Sequence, residues 1–167
     1  MDSVIRNKKD LFVTDNSIIK KLKIKAKQSD RKRSRICTHT DNNESVNEMI
    51  IALMSDSYVG PHTHPKIKSE SYLIIDGFMD VYIFDKIGEV IDKIEMGPHN
   101  SGKNFYYRMK RGYWHMPYVP KGWCIYFETF AGPYIDNVSV IRPKWAPNEN
   151  NKKEVQSFIK DIKKFKK

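Results

Sequence analysis

Cysteine is scarce in this 167-residue chain: Cys37 and Cys124 stand far apart, and no Cys-x-x-Cys occurs. That argues against a disulfide framework and against a cysteine-built structural zinc site. Long apolar runs are missing too. No stretch approaches 18 consecutive apolar residues, so no transmembrane helix is expected. The first ten residues are polar and do not read as a secretory signal. Internal repeats and a linker that would divide the chain are also lacking. Together these absences predict a cytoplasmic protein of one domain, and a domain of this length buries roughly 70% of its unfolded surface.

Acidic residues are in short supply as well, 20 Asp/Glu against 30 Lys/Arg, for a net charge of +10. The imbalance is uneven. Residues 1–35 hold 12 basic and 4 acidic residues, residues 151–167 hold 7 and 2, and residues 36–150 hold 11 and 14. The basic charge sits at the two ends. Nucleic-acid binding asks for basic residues on a structured face beside recognition chemistry, whereas lysine runs at chain ends read first as solvated segments. A nucleic-acid partner is therefore not expected.

What the chain does have is a series of short apolar runs broken by Gly and Pro. Residues 11–13 form a β-like run. Asn16 or Ser17 caps a brief helix through Ile18, Ile19 and Leu22. Strands are predicted at 49–54, 71–75, 78–84, 89–94, 105–109, 113–116, 124–130 and 138–141, with Asp76-Gly77 reading as a hairpin turn and 85–88 as a second turn. From Lys152, apolar residues at Val155, Phe158, Ile159, Ile162 and Phe165 have helical spacing. The expected fold class is all-β, a sandwich or barrel, with an N-terminal helical and basic arm (1–30), a β-barrel (31–150) and a basic C-terminal helix or tail (151–167).

Pro61-His62-Thr63-His64 carries the strongest chemical signal. On a strand, His62 and His64 project from one face and both imidazoles reach one ion. Glu70 follows at the start of the next apolar run, and Gly112-Tyr113-Trp114-His115 supplies a distant fourth candidate, with Gly112 permitting a tight turn. Three imidazoles and a carboxylate suit Fe, Mn, Ni or Zn as one divalent ion, and ligand type alone does not separate these.

These residues resemble the two cupin motifs: His-x-His, then Glu, then Gly at 77, followed by Gly-x-x-His at 112–115. The chain departs from them at Asp56 and Lys110, and in a His64-to-Glu70 gap one residue longer than the usual upper limit. A closer resemblance is to the WbuC-type cupin-fold metalloproteins over roughly residues 31–149. It rests on Arg31-x-Arg33-x-Arg35 with Cys37-Thr38-His39, on 57–65, and on Phe84-Asp85-x-x-Gly88. Trp114-His115, Phe127-Glu128, Gly132-Pro133-Tyr134 and Trp145-Ala146-Pro147-x-Glu149 complete it. The resemblance implies a single cupin jelly roll, a metal on His62, His64, Glu70 and His115, a homodimer, and a setting in surface-polysaccharide (O-antigen or lipopolysaccharide) biosynthesis. It implies no particular reaction: isomerase or epimerase, lyase, Fe(II)-dependent dioxygenase and non-catalytic binding module all remain open.

Beyond the metal set, Arg33, Arg35 and His39 share strand parity. They read either as a wall gripping an anionic or sugar-derived ligand or as a solvated arm with a hydrogen-bonded histidine. Tyr58 and Trp114 are further candidates for the ligand wall. Glu128 alternates with apolar neighbours and reads as a general base, a support to the metal, or the partner of a nearby arginine. His99 is expected to be exposed and Cys124 buried.

Overall fold

A computed structural model describes residues 3–65, 67–110 and 112–166. In chain order the elements are β1 (Val4–Arg6), α1 (Asn16–Gln28), β2 (Arg33–Cys37), β3 (Val46–Met54), β4 (Glu70–Gly77), β5 (Met79–Phe84), β6 (Val90–Met96), β7 (Tyr106–Met109), β8 (Trp114–Tyr118), β9 (Trp123–Ala131) and α2 (Lys152–Ile162). One sheet runs β1-β2-β3-β9-β4-β7 and the other β6-β5-β8. The smaller sheet is widened by two isolated bridges, His62 to His115 and Thr63 to Ile141. From β3 onward the chain passes repeatedly from one sheet to the other. This is a two-sheet jelly roll with two helices, the architecture that the motifs implied.

Alternation within strands builds the interior. On β4, Glu70, Tyr72 and Ile74 are buried while Leu73 and Ile75 are exposed, the period of two that a pleated strand imposes. The inner faces of both sheets meet in a core that includes Leu53, Tyr72, Met79, Val81, Met96 and Cys124. The outer face of the large sheet is covered by α1, whose Leu22 and Ala26 pack on Ile36, Ile50, Ala52 and Ile125. The outer face of the small sheet is covered from α2 by Phe158, Ile159 and Ile162 together with Trp145, against Tyr82, Phe84 and Met116.

Several local expectations are corrected. Asp76-Gly77 is not a hairpin: β4 pairs with β7 and β9, whereas β5 pairs with β6 and β8, so this dipeptide carries the chain from one sheet to the other. Gly77 has φ of +82°, and a Cβ there would collide with the Trp123 carbonyl oxygen. Residues 11–13 are irregular, with Leu11 and Val13 exposed, and the N-terminal strand is instead β1, parallel to β2. The α1 cap is Asp15, whose carboxylate accepts from the Ser17 amide at 2.8 Å. Residues 138–141 do not form a strand. The amides of Val138 and Ser139 both fold back onto the Ile135 carbonyl, and Ile141 alone reaches a bridge. The turn at 85–88 is present, held by Asp85 Oδ1 accepting from three successive amides at 2.9 Å.

Gly122 also has positive φ, +70°, but its Cβ would meet nothing within 4 Å. Gly122→Ala is therefore expected to cost only the backbone penalty, about 1–2 kcal/mol. Gly77→Ala should cost clearly more, because it adds a clash with backbone. Paired thermal melts check this, and equal losses in Tm would show that the close approach at Gly77 is not tight.

Candidate metal centre

The site starts from a backbone exchange. His62 N donates to His115 O at 3.0 Å and His115 N donates to His62 O at 2.9 Å. This antiparallel pairing sets the two imidazoles side by side, with ring centroids 4.2 Å apart. His64, two residues on, faces the same way and stands 5.2 Å from His62 and 5.3 Å from His115 by ring centroid. Glu70 opens β4 on the facing sheet. The long gap before it is taken up by a turn in which Lys68 N donates to Pro65 O at 2.8 Å; Lys66, within this stretch, lies outside the described residues. The structure thus brings all four together. One ligand atom from each lies within 4.8 Å of the others, and all four residues are buried.

Gly112 serves this arrangement in a way the sequence did not suggest. It is not needed for a positive φ; a Cβ there would run into the His64 carbonyl and Thr63 Oγ1. The missing side chain lets the segment before β8 press against the His-x-His strand.

Each imidazole is oriented through Nδ1. His62 Nδ1 lies 3.0 Å from Gly60 O, His64 Nδ1 2.8 Å from Ser139 O, and His115 Nδ1 2.9 Å from Tyr113 O. A carbonyl oxygen can only accept, so Nδ1 carries the proton in each ring and Nε2 presents the lone pair. Those Nε2 atoms converge on Glu70: His64 Nε2 is 2.9 Å from Oε2 and His115 Nε2 3.3 Å from Oε1. Tyr107 steadies the carboxylate by donating to Oε1 at 2.8 Å. His115 Nε2 is fully buried without a hydrogen-bond partner among the described residues. Lone pairs aimed at a carboxylate repel it unless a proton or a cation lies between them, so the donor set fits a divalent metal ion.

The electrostatics agree. Burial, helped by the neighbouring His115, drives the His62 pKa down to about 3, so this ring is neutral. Burial works against charge on Glu70, yet His115 and His64 hold its pKa well below the usual carboxylate range. Burial likewise opposes a proton on His115, and the Glu70 carboxylate more than restores it, leaving that pKa raised. Without metal, Glu70 therefore favours a proton on His115, whose Nε2 stands 3.3 Å from Oε1.

The cluster opens into a cavity of about 930 Å³. Arg33, Arg35, His39, Tyr58 and Glu128 all line it. Arg33, however, is occupied: it donates to Tyr58 O at 2.6 Å and pairs with Glu149 at 3.2 Å, while Arg31 grips the same carboxylate at 2.8 and 2.7 Å. His39 Nδ1 lies between the backbone carbonyl and amide of Glu48, at 2.9 and 3.0 Å. Tyr58 OH donates to Pro147 O at 3.2 Å. Trp114 is not in this wall. Alternation along β8 sends His115 inward and Trp114 outward, against Trp145 with ring centroids 6.2 Å apart. Glu128 has no ion pair among the described residues, so it is not an arginine's partner. Burial, and then the Glu70 charge, pushes its pKa up to about 8. Cys124 is buried, and Cys37 is buried beside Arg35. Tyr107 bonds Glu70, and Tyr72 and Tyr126 line the cavity; the sequence read all three only as core or barrel-wall aromatics, one or two of which could line the mouth.

A family described as a domain of unknown function, DUF6016, matches residues 14–96. No curated protein matches. Among solved structures, the chain is similar to a conserved protein of unknown function from Streptococcus pyogenes, with 14% identity and TM-score 0.51 over 80% of this chain and 97% of that one. It is also similar to a protein from Shewanella oneidensis, with 9% identity and TM-score 0.50 over 64% and 70% of the two chains. A third likeness is to the DMSP lyase DddQ from Ruegeria pomeroyi, with 14% identity and TM-score 0.49 over 66% of this chain and 51% of the lyase. At these identities the likeness is one of fold.

Metal uptake requires Nε2 of His115 to be free of its proton. Since Glu70 favours a proton on His115 in the metal-free site, uptake near pH 6.5 should release protons, and affinity should fall as the pH is lowered further. Calorimetric titration in buffers of different ionisation enthalpy measures the release. A pH-independent heat and affinity between pH 5.5 and 7.5 would contradict the assignment of the proton.

Proposed function

We propose that this protein is a metal-dependent cupin that binds, and acts on, a small anionic or sugar-derived metabolite. The observation that carries the reading is the convergence of three buried, Nε2-presenting histidines on one buried carboxylate. His62, His64, Glu70 and His115 would hold the ion. Once bound, it would act as a Lewis acid on an oxygen of the ligand. The residues around it have separable tasks. Gly60, Tyr113 and Ser139 fix the imidazole tautomers through their carbonyls, and Tyr107 orients Glu70. The apolar inner core, with Met109 and Phe130 beside Glu70 in register, would limit water at a bound ion.

The cavity volume supports a ligand of metabolite size, since such pockets run from about 300 to 1,000 Å³. Its arginine-bearing mouth supports an anion. The WbuC-type resemblance supports a place in surface-polysaccharide synthesis and a homodimer.

Purified full-length protein is expected to take up one equivalent of a divalent transition metal. His64→Ala and His115→Ala should each lose it by at least about 100-fold in affinity while keeping a β-rich spectrum. Elemental analysis and metal titration measure this. Wild-type protein that folds but takes up none of Mn, Fe, Ni or Zn would sink the reading.

A further inference from the structure

Tyr72 and Tyr126 are 2% and 3% exposed, and both line the cavity beside the imidazoles. Their ring centroids are 4.7 Å apart. Tyr107 lies on the other side of Tyr72 at 4.9 Å, but its hydroxyl is committed to Glu70. The hydroxyls of Tyr72 and Tyr126 have no hydrogen-bond partner among the described residues. Both rings line the cavity while their hydroxyls bond to no described residue, which leaves two polar groups on one wall available to whatever occupies the cavity. Glu128 extends the wall: it lies two residues beyond Tyr126 on β9 and directly opposite Tyr72 in the β4–β9 register. Its carboxyl, too, has no hydrogen bond or ion pair among the described residues.

The mouth adds a charge. Of the three alternating arginines, Arg31 and Arg33 are bound to Glu149. Arg35, exposed and lining the cavity, has no carboxylate within ion-pair distance among the described residues, and it lies near enough for its charge to act on Glu128.

We infer that Tyr72, Tyr126 and Glu128 form a ligand subsite beside the metal cluster, with Arg35 at its mouth, and that its ligand is a small hydroxylated anion. The inference rests on the metal-dependent reading above and specifies the substrate class for that site. Phenol hydroxyls both donate and accept, and a carboxyl beside them does the same when protonated, so the wall matches ligand hydroxyls rather than an apolar chain. A guanidinium fork at the mouth matches a planar carboxylate or a phosphate. The ligand therefore carries its hydroxyls inward, toward the tyrosines and the metal, and its anionic group outward at Arg35.

Calorimetry on the metal-loaded full chain, with gluconate, glucose 6-phosphate and glucose as probes, tests this. At least one of the two anions is expected to bind, and which one does separates carboxylate from phosphate. Neutral glucose should bind at least about 10-fold more weakly. Tyr72→Phe and Tyr126→Phe should each weaken anion binding by about 3- to 10-fold, and Arg35→Gln by about 10- to 100-fold, with metal content unchanged. Arg35→Gln changes an exposed side chain, so it keeps the test open if a tyrosine variant is poorly folded. Anion binding untouched in all three variants, or glucose binding as tightly as the anions, overturns the subsite. Full metal uptake with neither anion bound overturns it too and leaves the metal reading standing. Anion binding that survives chelation yet falls in Tyr126→Phe upholds the subsite and sinks the metal reading instead.

Discussion

The exchange of both backbone hydrogen bonds between His62 and His115 is the interaction on which the rest of the site depends. It joins the strand carrying His-x-His to the edge of β8 and so widens the small sheet. It also brings two motifs distant in sequence into direct contact. Once that register is set, His64 must face inward with His62, and the Thr63 backbone between them pairs with Ile141. The segment leading into β8 must then pass so close to His64 that only glycine fits at 112. The facing sheet needs only to begin β4 at Glu70 for the fourth group to arrive.

That arrangement carries an electrostatic cost which the fold does not meet with surface ion pairs. Glu70 is 2% exposed and His115 wholly buried, and a buried carboxylate is tolerated only when another charge and hydrogen bonds offset its lost hydration. Tyr107 gives one hydrogen bond. The opposing charge comes either from the proton on His115 or from a cation held by the Nε2 atoms. His62 does not supply it, because burial keeps that ring neutral. A proton and a metal ion would thus compete for the same position, and the Nδ1-to-carbonyl bonds leave the imidazoles in the tautomer that suits metal binding.

Much of this was legible in the residues because alternation on a strand is a local property. His62 with His64, Glu70 with Tyr72 and Ile74, and Cys124 with Tyr126 and Phe130 all declare their faces within a few positions, and so does the helical spacing of α2. Features decided at a distance were not legible. Asp76-Gly77 has the composition of a hairpin, but its glycine is demanded by the Trp123 backbone of another strand. Val138 and Ile141 have the β-branched character of a strand, yet turn hydrogen bonds to Ile135 claim the backbone first. Trp114 shows how little adjacency to a ligand means: next to His115 in sequence, it points to the opposite face.

The arginines sharpen the distinction between face and partner. Strand parity put Arg33 and Arg35 on one face, and that face lines the cavity, but parity carries no information about what arrives from elsewhere in the chain. Glu149 arrives, takes Arg31 and Arg33, and leaves Arg35. This capture also anchors one end of the irregular segment 132–150, whose middle supplies the Ser139 carbonyl that holds His64 and the Ile141 backbone that pairs with Thr63. Several residues of the same segment, from Tyr134 to Asn150, line the cavity. One segment therefore both walls the cavity and supplies the carbonyl that orients His64.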